Sequence, residues 1–143
     1  MKAEKRVMVD AASLIIAATE QFITAARSAI AKRCVFYVAL AGGSTPKGLY
    51  QMLAAMPYSS KIDWSRVHLF FGDERCVLPS HNDSNYKMVS EAMINMLPIP
   101  ETNVHRMPTE LSDASEVAKR YAETMTKVMK AEPFDLVSLG LAL

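Results

Sequence analysis

The stretch Val38-Ala39-Leu40-Ala41-Gly42-Gly43-Ser44-Thr45-Pro46 constrains the fold of this chain more than any other. An apolar run ends in two glycines, two hydroxyls and a proline, the pattern of a strand passing through a tight turn into a helix. Glycines let the backbone approach a ligand closely, and the first N–H groups of a helix have no partner within it. An anion suits such a place, because the orphan N–H groups and the helix dipole both favour negative charge. The residues alone leave two readings open, a phosphate cradle or a glycine turn with an ordinary Thr cap.

The rest of the chain repeats the alternation of strand and helix. Residues 6–9 are expected as a short strand, with Asp10 capping a helix that turns Ala11, Leu14, Ile15, Ala18, Phe22, Ala25, Ala26, Ala29 and Ile30 to one face. The continuous apolar run 35–41 predicts a strand buried on both faces. Thr45 is expected to cap the next helix, with Pro46 at its first position, an inner stripe of Leu49, Tyr50 and Leu53, and Pro57 as the stop. A second buried strand over 66–71 leads into a polar loop, 72–85. A helix over 86–97 places Met88, Val89, Ala92, Met93 and Met96 inward. A short strand is expected over 103–107. Asp113 and Glu116, in capping-box spacing, open a helix to about residue 130 with Val117, Tyr121, Met125 and Val128 inward. A last apolar strand covers 134–139. This order predicts an α/β fold, a Rossmann-like parallel sheet flanked by helices, in one domain over residues 1–143.

Bulk properties narrow the function. With 143 residues, half of them hydrophobic, the chain can bury a sizeable core. A net charge of +1, with scattered Lys and Arg, gives no basic stripe, so nucleic acid is not an expected partner. The early uncharged run 11–19 is too short to span a membrane, and the basic residues before it do not make a signal peptide, since Asp10 interrupts the approach. Cys34 and Cys76 form no C-x-x-C pair, as expected in a reducing cytoplasm. His68, His81 and His105 lack metal-ligand spacing, so no metal site is expected. The ten methionines sit mostly at helix-core spacing and read as core filler.

Two loops follow strands and should share one edge of a parallel sheet, where ligands gather. The glycine turn matches neither G-x-x-x-x-G-K-[ST] nor G-x-G-x-x-G, and Pro46 stands where a G-x-S-x-G elbow needs its last glycine, so Ser44 is not expected as a nucleophile. Gly72-Asp73-Glu74-Arg75 joins two carboxylates to a cation, a set that can hold sugar hydroxyls, orient water or bind phosphate, and equally a solvated loop with a local ion pair. Ser84 or Asn85 can cap the following helix, or Asn85 can hold the loop or the substrate. Cys76 beside Arg75 reads as a packing residue rather than a reactive thiol.

Taken in order, Ala41-Gly42-Gly43-Ser44-Thr45-Pro46, Gly72-Asp73-Glu74-Arg75, Asn82-Asp83-Ser84-Asn85-Tyr86, Asn103-Val104-His105-Arg106-Met107-Pro108 and Phe134-Asp135-Leu136-Val137-Ser138-Leu139-Gly140 resemble the 6-phosphogluconolactonase family. The resemblance implies hydrolysis of 6-phosphogluconolactone to 6-phosphogluconate in the oxidative pentose phosphate pathway, in the cytoplasm, without metal or cofactor. It implies that Gly42, Gly43, Ser44 and Thr45 bind the substrate phosphate, and that Asp73, Glu74, Arg75 and Asn85 bind the rest of the substrate. A glucosamine-6-phosphate deaminase/isomerase or a non-catalytic sugar-phosphate-binding module are the alternatives, and Arg75 after Asp73-Glu74 favours the lactonase.

The resemblance breaks at the end. Family members continue into G-x-G-x-D-G-H-T, whose histidine serves as general base, whereas here Gly140 is followed by Leu141-Ala142-Leu143. The expectation is therefore a C-terminally truncated lactonase with an incomplete sheet and impaired catalysis, no catalytic residue of its own, and exposed sheet surface that promotes self-association.

Overall fold

The computed structural model describes residues 3–139, so Lys2 and Gly140 lie outside the described residues. Four helices and four strands follow in the order α1 (Ala11–Arg33), β1 (Phe36–Leu40), α2 (Ser44–Leu53), β2 (Val67–Phe71), α3 (Asn85–Ala92), β3 (Val104–His105), α4 (Ala114–Met129) and β4 (Leu136–Val137). The sheet order is β3-β2-β1-β4, and every pair is parallel. The α/β fold is as expected from the sequence.

Strand β1 is central, and all five of its residues are buried. One face carries Phe36, Val38 and Leu40 beside Val67, Leu69 and Phe71, packed against Phe22 and Ala26 of α1, Tyr50 and Leu53 of α2, and Val89 of α3. The opposite face carries Tyr37 and Phe70, covered by Tyr121 and Met129 of α4. Gly48 lets α2 cross α1 closely, since a Cβ there would stand 2.6 Å from Ile15 Cδ1. Strand β4 is tied to β1 by Asp135, whose carboxylate accepts from the Tyr37 N–H (2.8 Å) and pairs with Arg33.

Several local expectations are corrected. Residues 6–9 form no strand; Val7 and Val9 are exposed, with no strand beside them among the described residues. Asp10 does cap α1, accepting from Ser13 N–H, but the first turns stand open, leaving Ala11 and Leu14 exposed. At 23 residues α1 is long and apolar enough to cross a membrane by length and composition, which corrects the short-run argument; its second half is instead core, through Phe22, Ile23, Ala26 and Ala29. Helix α2 begins at Ser44, before the expected Thr45 cap. Gly43 is its N-cap, at φ 107° and ψ 169°, a conformation open to glycine and not to a side chain-capping Thr. Pro46 falls in the first turn, where its missing N–H leaves no bond unmade.

Helix α3 stops at Ala92 because Met93 leaves helical geometry (φ −143°), which turns Met96 outward. Asp113 caps α4, but Glu116 pairs with Arg120 one turn on, so the reciprocal half of the capping box is not made. The final strand shrinks to the two residues that pair with β1.

Candidate functional site at the strand ends

Because the sheet is parallel, the turn after β1 and the loop after β2 leave from the same edge. Gly72 N–H donates to Leu40 C=O at 2.9 Å, which holds the two departures side by side. Helix α2 makes its first backbone bond from Lys47 N–H to Gly43 C=O (3.0 Å). The N–H groups of Gly43, Ser44 and Thr45 precede that bond and have no helical acceptor. They border a cleft of about 430 Å³, closed by Leu14, Ile15 and Ala18 of α1 and by Ser138 and Leu139 after β4. Ser44 and Thr45 are both exposed there. The arrangement offers backbone donors, two hydroxyls and the positive end of a helix dipole to an anion.

Asn85 joins this turn to the second loop. Its side chain lies against Gly42, where a Cβ would come 2.1 Å from Oδ1 and 2.6 Å from Cγ, and its Nδ2 donates to Asp73 C=O at 3.1 Å. Gly42 is thus required for close approach, and Asn85 is buried at the junction. The sequence left Asn85 between capping and holding the loop; Ser84 is the cap, accepting from Lys87 N–H, and Asn85 holds the loop.

Glu74 faces α3. One carboxylate oxygen accepts from Asn85 N–H (2.7 Å) and Arg75 N–H (2.8 Å), the other from Tyr86 N–H (2.9 Å) and Ser84 Oγ–H (3.3 Å). A carboxylate on the first N–H groups of a helix satisfies orphan donors and opposes the dipole. Geometry therefore gives Glu74 a strut's position between loop and helix. Asp73 and Arg75 are exposed, and the Arg75 guanidinium has no ion-pair partner among the described residues. Neither borders the cleft at the glycine turn; they stand beyond Gly42 and Asn85.

Two buried tyrosines below the loops carry no signal beyond an aromatic residue on an inward helix face. Tyr50 Oη accepts from Ala41 N–H (3.0 Å) and donates to Ala41 C=O (2.7 Å). Tyr121 Oη accepts from Phe71 N–H (2.7 Å) and lies 3.1 Å from Phe71 C=O and 3.2 Å from His105 C=O. Burial raises the pKa of both phenols, Tyr121 to about 12, so both remain protonated donors.

A larger groove of about 690 Å³ runs between the 74–81 loop and α4, lined by Leu78, Met107, Leu111, Val117 and Met125, with exposed Cys76 at its border. It shares no residue with the cleft at the glycine turn and is mostly apolar, unsuited to a phosphate.

The histidines, far apart in sequence, are not all far apart in space. His68 Nδ1 and His105 Nε2 are 3.0 Å apart on neighbouring strands. That distance is shorter than the spacing of stacked rings, and the ring planes differ by only 4°, so the imidazoles meet edge to edge and share one proton. Among the described residues no three His, Cys, Asp or Glu side chains converge. Burial lowers both pKa values, and the charge of His68 helps depress His105 to about 4. The unfolded chain binds protons near pH 6.5, so stability held above that pH is lost as pH falls toward 4. With each ring half open to water, the loss is about 1–2 kcal/mol, well below the full linkage value. Urea midpoints at pH 7.5 and 4.5 check this, and His105→Phe is expected to reduce the difference; a wild-type midpoint higher at pH 4.5 would contradict it.

A twisted parallel α/β sheet with ligand-accessible loops at its carboxyl edge places the molecule among Rossmann-like proteins. Residues 9–142 match the family model for glucosamine-6-phosphate isomerases/6-phosphogluconolactonase, and the chain belongs to that family. It is 34% identical over 143 residues to a 6-phosphogluconolactonase of Nostoc sp., covering 100% of this chain and 58% of the relative. A 6-phosphogluconolactonase of Synechocystis sp. is 37% identical over 140 residues, covering 94% of this chain and 57% of the relative. The crystal structure of a Thermotoga maritima 6-phosphogluconolactonase superposes with a TM-score of 0.80 at 29% identity, covering 90% of this chain and 56% of that one. The chain thus spans a little over half the length of these relatives.

Proposed function

We propose that this chain forms the phosphosugar-binding part of a 6-phosphogluconolactonase, which hydrolyses 6-phosphogluconolactone to 6-phosphogluconate in the oxidative pentose phosphate pathway. The observation that carries this is the junction at Asn85, which locks the anion-suited turn to the Asp73–Arg75 loop on one sheet edge. It occurs in a chain matched along its whole length by a protein named for this activity.

In this reading Gly42, Gly43, Ser44 and Thr45 receive the phosphate through N–H groups and hydroxyls. Arg75 and Asp73 face the sugar end of the ligand, Arg75 as a cation and Asp73 as an acceptor for hydroxyls. Asn85 and Glu74 set the loop's position. The two exposed free thiols suit a reducing cytoplasm, where we place the protein.

Hydrolysis adds water to the lactone carbonyl, passes through a tetrahedral oxyanion and breaks the ring C–O bond, with the water's proton passing to a base and from it to the departing ring oxygen. None of the three histidines borders the glycine-turn cleft: His68 and His105 bond each other, and His81 sits on the 74–81 loop. The 143 residues, assayed alone, are therefore expected to bind and orient substrate while lacking a general base, a shortfall of about 10²–10⁴ in rate. Lactone opening followed against the spontaneous rate, beside a related full-length lactonase, tests this. Equal turnover would overturn the assignment of these residues to binding alone. Ammonia release from glucosamine 6-phosphate would overturn the substrate.

A further inference from the structure

We propose that Tyr50 and Tyr121 are positioning residues for the site, each clamping the backbone where one site loop leaves the sheet. The ligand-binding consequence rests on the reading above; the clamp itself rests on geometry.

Ala41 is buried one residue beyond the end of β1, outside the strand ladder. A buried N–H and C=O need partners, and here one phenol supplies both. Tyr50 reaches Ala41 from α2, the helix whose N-terminus is the glycine turn, so strand, turn and helix close into a ring around Gly42 and Gly43. Three strand ends meet beside it, since Gly72 after β2 donates to Leu40 C=O and Ser138 after β4 donates to Ala39 C=O, each at 2.9 Å. Tyr121 does the same from the opposite face, holding Phe71, the last residue of β2, and reaching the His105 carbonyl of β3. Each sheet face thus contributes one phenol to one loop. Both hydroxyls stay protonated at neutral pH, so they hold backbone rather than move protons.

A tyrosine that merely fills the core would behave differently from a clamp when its hydroxyl alone is removed. Tyr50→Phe is expected to raise amide hydrogen exchange at Ala41, whose N–H the phenol accepts, and at Lys47, whose N–H closes the turn on Gly43 C=O, by roughly tenfold, leaving Phe71 and Arg75 near wild type, and Tyr121→Phe is expected to do the reverse. Tyr50→Phe should also weaken 6-phosphogluconate binding by roughly tenfold. Exchange that rises equally over the whole chain in both variants, or in neither, overturns the clamp. Wild-type chain that fails to bind 6-phosphogluconate sinks the functional reading while the exchange pattern still decides the clamp. If either Phe variant fails to fold, Tyr50→Trp and Tyr121→Trp are not substitutes; sub-denaturing urea on the wild type must then show the two loops opening separately, and joint opening overturns the proposal.

Discussion

Gly42→Ala is expected to break the site at its junction. The new Cβ would stand 2.1 Å from Asn85 Oδ1, so the amide must move and give up its bond to Asp73 C=O. Asn85 is buried, and forced repacking of such a position costs about 1–3 kcal/mol. The binding cost is larger in proportion, because displacing Asn85 separates the glycine turn from the Asp73–Arg75 loop. A loss of roughly tenfold or more in 6-phosphogluconate affinity follows. Asn85→Ala removes the obstructing atoms, so the double variant should be more stable than the sum of the single effects predicts. Denaturant midpoints for the three variants measure this; strict additivity would show that Gly42 and Asn85 do not interact.

Glu74→Ala is expected to cost more stability than any other change in the acidic loop. Four donors converge on that carboxylate, three of them backbone N–H groups, two of these at the start of α3. Hydrogen bonds to a charged group contribute about 1.5–3 kcal/mol, and the loss here should reach about 2–3 kcal/mol. Glu74→Gln keeps one acceptor oxygen and should fall about halfway. Asp73→Asn, at an exposed position, should stay within about 0.5 kcal/mol. A Glu74→Ala variant as stable as Asp73→Asn would remove the strut. The same series separates roles within Asp73-Glu74-Arg75: Arg75→Ala should weaken ligand binding at unchanged stability.

The parallel sheet and the shared edge of the two loops were legible in the sequence, because buried strands read as continuous apolar runs and β1 is one, while β2 is apolar but for His68. Errors fell where tertiary contact or backbone strain decides. Residues 6–9 have strand-like composition but no strand beside them among the described residues. Gly43 takes the cap because its backbone enters the helix at φ 107°, which composition does not announce. Met93, fully buried, leaves helical geometry in mid-pattern, which its apolar spacing does not announce.

At the site, the glycine turn and the Asp73–Arg75 loop were visible as strings. What each side chain does was not. Glu74 and Asp73 look alike in sequence, yet one is tied by four donors and the other is exposed. Tyr50 and Tyr121 showed only as inward aromatics; their hydroxyls matter because particular backbone groups come within 3 Å of them in the fold. His68 and His105 meet only because β2 and β3 pair in the register that sets Phe70 opposite His105.

The most direct measurement is a titration of isotopically labelled chain with 6-phosphogluconate, followed by backbone amide shifts and repeated with gluconate, which lacks the phosphate. Saturable shifts are expected at Gly43, Ser44 and Thr45 with 6-phosphogluconate and little there with gluconate, together with shifts at Asp73, Arg75 and Asn85. No saturable shift at millimolar 6-phosphogluconate, or shifts confined to the apolar groove beside α4, would contradict this expectation.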